Sequence, residues 1–132
     1  MEKIYCVGNP DYVHPDGEVV HHVDKIPDHF PRWLRNAKIK WCVVSLVRHQ
    51  HVIWYDGIWY SGLWNNGTWY GGIWKNGTWW EGNWYNGTWR VGEWWDGMWH
   101  KGTWYNGVWI SGMWRNKNHW TKEYPPWTCK IN

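Results

Sequence analysis

The chain has 132 residues, room for one domain or for one small globular piece plus a short repeat array, which excludes a large multi-domain enzyme. Nineteen tryptophans and 15 glycines stand beside a single phenylalanine at a polar mean hydropathy of -0.77, a bias that points to a repeat. Fourteen basic residues are dispersed among 11 acidic ones for a net charge of +3, so binding of nucleic acid by bulk electrostatics is weakly supported.

In chain order, Met1-Glu2-Lys3-Ile4 lacks the apolar core of a signal peptide. The longest apolar stretch, Cys42 to Val47, is too short to span a bilayer. The expectation is a soluble chain with no secretion signal and no membrane span. Lys3–Val7 and Glu18–Val23 read as strands separated by the turn-rich Gly8-Asn9-Pro10-Asp11 and Pro15-Asp16-Gly17, which suggests a hairpin. Pro31 to Ala37 reads as a helix of two turns opened by Pro31. Lys38 to Val47 is apolar on both faces and reads as a buried strand, and His49-Gln50-His51 turns the chain into Val52-Ile53-Trp54. Residues 1–51 would form a small α+β cap on the rest of the chain.

From residue 52 to 116 a Trp-x-x-Gly-x unit repeats without interruption. Tryptophan stands at every fifth position from Trp54 to Trp114, with glycine three residues after each until Lys117 takes the glycine place. Residues 117–132 would be a C-terminal cap or tail. The residue before glycine alternates: Asp56, Asn66, Asn76, Asn86, Asp96 and Asn106 in one set, Ser61, Gly71, Glu81, Val91, Lys101 and Ser111 in the other. The sequence period is therefore ten.

Asn-Gly and Asp-Gly are preferred in two-residue type I′ turns, where both central residues take positive φ. With Asn86-Gly87 as such a turn, Trp84 would lie opposite Trp89. The expected fold class is mainly β: a repetitive antiparallel β-meander of very short strands with a Trp ladder, behind the small α+β cap. Thirteen strands would extend over about 60 Å. Val91-Gly92 and Glu81-Gly82 fit type I′ poorly, because Val91 would be forced to positive φ. They favour the alternative, a pentapeptide-type β-solenoid, whose known coil of four units would call for a period of twenty that the sequence does not show.

Three resemblances attach to these residues. Trp84-Tyr85-Asn86-Gly87-Thr88-Trp89 is similar to the turn of tryptophan-zipper hairpins. Tyr55-Asp56-Gly57-Ile58-Trp59-Tyr60-Ser61-Gly62 resembles the first half of a MORN repeat, without the later His-Gly-x-Gly half, and implies a scaffold. Asn76-Gly77-Thr78-Trp79 and Asn86-Gly87-Thr88-Trp89 resemble the Gly-Thr-Trp-x-Asn-Gly repeat proteins of bacteriophages, which implies a viral source and a place in the host cytoplasm or the virion.

The Trp row admits two readings. As core, it needs cover, from the termini or from a second copy of the chain, because an open row exceeds the apolar patch that soluble monomers expose. As a site, it is a platform for sugar rings or nucleobases. Outside the row, Trp80 and Trp95 are the foremost candidates for contact with a ligand or partner, with Tyr85, Tyr105, Arg90 and His100 beside them. Ile58, Leu63 and Ile73, nearer the cap, are expected to be buried on both faces. Cys6, Cys42 and Cys129 form no CxxC pair, so reduced thiols are the default.

Six histidines fall in the first 51 residues; His49 and His51 would share a strand face and are the candidates for a metal, and His21 with Asp24 for acid–base chemistry. No HExxH or comparable signature accompanies them, so neither a metal, a cofactor nor a catalytic residue is expected. The sequence reads as a non-enzymatic scaffold or structural protein that meets a protein partner or itself. The alternative is a binder of carbohydrate or, with less support, of single-stranded nucleic acid.

Overall fold

The computed structural model describes residues 3–128. The cap is built from β1 (Ile4–Val7), β2 (Val20–Val23), α1 (Arg32–Arg35) and β3 (Lys38–Val47), and β4 (His51–Ser61) leads from it through the first two repeat units. Pro31 stands at the N-cap with φ -58, and α1 is a single turn of four residues in place of the two turns expected from Pro31 to Ala37. The hairpin expected of β1 and β2 is not formed: they pair parallel, Ile4 on Val20 through Val7 on Val23, and β1 runs antiparallel to β3. The hairpin is β3–β4 instead, closed where His49 and Gln50 take φ of 62 and 59.

From β4 onward the repeat is mainly β and carries a Trp ladder, and of the two geometries considered it adopts the solenoid. Pairing is parallel and in register at a spacing of 15 residues: Trp54 on Trp69, Trp69 on Trp84, Trp84 on Trp99, Trp99 on Trp114. Three pentapeptide units therefore complete one coil. The other two sides carry Trp59, Trp74, Trp89 and Trp104, and Trp64, Trp79, Trp94 and Trp109.

The meander fails at its turns. Type I′ demands positive φ at both central residues. The glycines that stand three residues after each Trp have φ between 112 and 140, yet none of the Asn or Asp residues before them is positive. Each corner thus bends the chain by about a third of a turn and sends it onward in the same sense. Val91 and Glu81 fit such corners because only the following glycine is strained. At Gly72 the coil below approaches so closely that a Cβ would lie 2.4 Å from the Gly57 carbonyl oxygen. This contact, and not only the φ, reserves the position for glycine.

Two backbone bonds per unit join the coils. Tyr85 N–H donates to the Trp69 carbonyl (2.8 Å), and Thr88 N–H to the Gly72 carbonyl (2.9 Å). The Asn or Asp of each alternate unit accepts from the next glycine N–H, as Asn86 Oδ1 does from Gly87 at 2.9 Å. That local bond gives the ten-residue alternation a role in corner stabilisation, independent of the 15-residue coil.

All thirteen array tryptophans point inward and are buried. Within a coil they meet edge to face, as Trp54, Trp59 and Trp64 do at 5.8–6.4 Å. Between coils they stack with centroids 4.7–5.0 Å apart and planes within 10°. The strand spacing of about 4.8 Å exceeds the thickness of a ring, so the indoles slide into offset stacks, the geometry their quadrupoles prefer. Trp84, expected opposite Trp89, instead stacks on Trp69 and Trp99 and touches Trp89 edge to face.

Both ends of the indole column are plugged. At the lower end Trp33 of α1 packs on Trp59 and Trp64, with Phe30 and Leu34 in the same core. At the upper end Lys117, where a glycine would stand, takes φ 56 and leaves the coil path. Met113–Asn116 and His119–Thr121 form an antiparallel hairpin there, and the chain returns to set Trp127 against Trp99, Trp104, Trp109 and Trp114 at 5.3–5.9 Å.

Candidate interaction surface

A filled core leaves chemistry to the outside. The residue after each Trp is directed outward, and the 15-residue coil sorts these residues into three vertical columns, one per corner of the cross-section. The first holds Tyr55, Tyr70, Tyr85, His100 and Arg115; the second Tyr60, Lys75, Arg90 and Tyr105; the third Asn65, Trp80, Trp95 and Ile110.

The expected contact residues are thereby divided among all three columns. Tyr85 and His100 share the first, stacked at 4.0 Å. Arg90 and Tyr105 share the second, the guanidinium lying 5.0 Å from the ring centroid, and Lys75 caps Tyr60 in the same way at 5.7 Å. Trp80 and Trp95 share the third, tilted by 37° at 5.1 Å and 47 % and 36 % exposed. The partners Tyr70 and Lys75 were not among the candidates, although the recurrence of Tyr55, Tyr70 and Tyr85, and of Trp80 and Trp95, at intervals of 15 was in the sequence.

The first column is a second aromatic ladder, outside the core. Tyr55–Tyr70 and Tyr70–Tyr85 stack at 5.8 and 5.0 Å. Its ends are closed edge to face, by His14 of the cap at 4.8 Å and by Trp120 of the terminal hairpin at 4.7 Å. His14 is itself buried, its Nδ1 2.9 Å from the Tyr12 hydroxyl and its Nε2 3.8 Å from Asp16. A shallow hollow of about 500 Å³ beside the ladder is lined by Tyr70, Tyr85, Asn86, His100, Lys101 and Arg115. Burial, and then the Arg115 charge, lower the His100 pKa, and its Nε2 has no hydrogen-bond partner among the described residues. A stacked ring offers its edge to the outside, since both faces are taken by neighbours.

Other expectations are corrected. Ile58 is half-buried, and Leu63 and Ile73 are 42 % and 37 % exposed, because the wall is one strand thick and only its Trp side is covered. His49 and His51 share no strand face: His49 lies in a 3₁₀ turn at φ 62, whereas His51 begins β4 and its Nε2 lies 2.8 Å from Thr68 Oγ1. His21 packs on Tyr5 at 5.6 Å, and Asp24 is exposed. Among the described residues no group of three or more His, Cys, Asp or Glu is arranged to hold a metal ion. Cys6 and Cys42 are free, buried thiols, and burial pushes both pKa values up, which makes them poor nucleophiles. Cys129 lies outside the described residues.

No helix among the described residues is long and apolar enough to cross a membrane. No protein-family model, curated protein or solved structure matches the chain.

Proposed function

We propose that this protein is a non-enzymatic structural or interaction protein, a stiff rod that presents its outer columns to a protein partner or to further copies of itself. The observation that carries this reading is the solid Trp column, plugged by Trp33 and Trp127. A repeat built on such a column has no interior to receive a substrate, and its recurring surface is set on a backbone laced by parallel bonds at every coil. The resemblance of Asn76-Gly77-Thr78-Trp79 to phage repeat proteins extends the proposal to a phage-encoded component.

A second reading, a binder that stacks sugars or bases, is favoured by one observation, the exposure of Trp80 and Trp95. Against it, the rings of Tyr70 and Tyr85 are sandwiched, and Tyr60 and Tyr105 carry cations on their faces. Isothermal titration with oligosaccharides and with single-stranded oligonucleotides separates the two. The scaffold reading expects no saturable heat. Saturable binding that disappears in Trp80→Ala/Trp95→Ala would replace it with the stacking reading.

A further inference from the structure

The coil sorts charge as well as rings. Among the described residues, the second column, its strand and its corner carry no acid: outward positions are Lys75 and Arg90 between Tyr60 and Tyr105, the following corner has Ser61, Asn76, Val91 and Asn106, and the preceding strand positions are Ile58, Ile73, Thr88 and Thr103. The third edge has the opposite character. Glu81 and Asp96 stand one above the other at its corner, beside Trp80 and Trp95, with Glu93 on the adjoining strand. Lys122 of the C-terminal segment lines a hollow with Asp96 and Ile110.

None of Lys75, Arg90, Glu81 and Asp96 is engaged in an ion pair among the described residues. Within the chain the two edges cannot meet, because they lie on different corners of a rod whose centre is filled with indole. Between two chains they can. Lys75 and Arg90 are separated by one coil, and so are Glu81 and Asp96. Lys75 precedes Glu81 by six of the 15 residues of a coil, so the two ladders differ in height by only about 2 Å at a rise of about 4.8 Å.

We propose that the rod associates side by side with a second copy of itself, the basic Lys75/Arg90 edge of one chain against the acidic Glu81/Asp96 edge of the next. Two parallel copies bring both charge pairs together at once, and Arg90 arrives at the exposed indoles Trp80 and Trp95, the ring type that binds a guanidinium best. The two surfaces differ, so the contact is heterologous and leaves one edge of each kind open, which leads to a closed ring or a filament. This deepens the scaffold reading by naming a second copy as the partner, and it rests on that reading.

The contact is only a few coils tall, so the association is weak for one pair and is measured by sedimentation velocity up to about 0.5 mM at low salt. The expected result is a weight-average mass that grows with concentration and falls with added salt. Two double variants supply the decisive comparison. Lys75→Glu/Arg90→Glu makes both edges acidic, and Glu81→Lys/Asp96→Lys makes both basic. Each alone is expected to lose association by at least about tenfold, and an equimolar mixture to regain it, because each variant then finds its complement in the other. Circular dichroism confirms that both are folded.

A monomeric wild type at the highest concentration overturns the proposal, and so does association that survives either variant or a mixture that stays monomeric. A monomeric wild type that instead shifts an anionic oligonucleotide through Lys75 and Arg90 overturns it in favour of a polyanion. Failure of self-association leaves the scaffold reading to the ligand titrations, which are independent of these variants.

Discussion

Gly71 and Gly72 are adjacent in sequence and opposite in what the coil requires of them. Gly72 has φ 112, and a Cβ built on it lies 2.4 Å from the Gly57 oxygen and 3.0 Å from the Gly57 nitrogen. Gly71 is not at positive φ, and its Cβ would meet the Tyr55 oxygen at an ordinary 3.6 Å. In Gly72→Ala the coils must part by about 1 Å to restore a contact near 3.5 Å. Backbone strain at positive φ contributes about 1–3 kcal/mol. Weakening of the adjoining ladder bond across the same gap, Lys75 N–H to Trp59, contributes about 1 kcal/mol. The expected loss is about 2–4 kcal/mol, a large share of the stability of a domain this size. Gly71→Ala should be neutral or stabilising by about 0.4–1 kcal/mol, through reduced freedom of the unfolded chain. Urea unfolding followed by tryptophan fluorescence measures both. A type I′ turn requires positive φ at both positions, so equal destabilisation by the two substitutions would refute the parallel coil.

The same coil geometry sets three further outcomes. Trp127→Ala removes the upper plug from Trp99, Trp104, Trp109 and Trp114; as Trp127 is 37 % exposed, a loss of about 2–3 kcal/mol is expected, with hydrogen exchange quickened in the last coil and not at β4. Asn86→Ala deprives the Gly87 N–H of its acceptor and should cost about 1 kcal/mol, whereas Val91→Asn adds the missing acceptor before Gly92 and should raise the thermal midpoint. His100 has a lowered pKa in the fold, so the unfolded chain takes up its proton first as pH falls through about 6.5, and stability declines there. The drop in Tm between pH 7.5 and 5.5 is therefore expected to be smaller in His100→Gln than in the parent chain, and an identical drop would count against the assignment.

The limits of legibility lie in particular residues. Pro31, the apolar run of β3 and the unit length of five are local features, and α1, β3 and the array lie where they predict, although α1 is shorter than expected and β3 is buried only from Cys42 to Ser45. The misfit of Val91-Gly92 to a type I′ turn was a correct signal for the solenoid, outweighed by Asn-Gly pairs that have another use, as acceptors for the next glycine N–H. The candidate site was legible only as a set of exposed aromatic and basic residues. Trp80 was seen with Trp95, but Arg90 could not be seen with Lys75, nor Glu81 with Asp96, without the length of the coil.

The sequence by itself determined that every fifth residue is an indole and that each unit ends in a glycine corner; this suffices for a mainly β repeat with a Trp ladder, since periodicity and φ preference are local properties. Tertiary structure alone decided how many units close a coil and which outward residues share an edge. With Trp in every unit, two, three or four units per turn all place Trp on Trp, so the hydrophobic pattern is blind to the choice. The choice is made by the bend at each glycine together with the edge-to-face packing of three indoles, and both exist only once the chain has closed on itself.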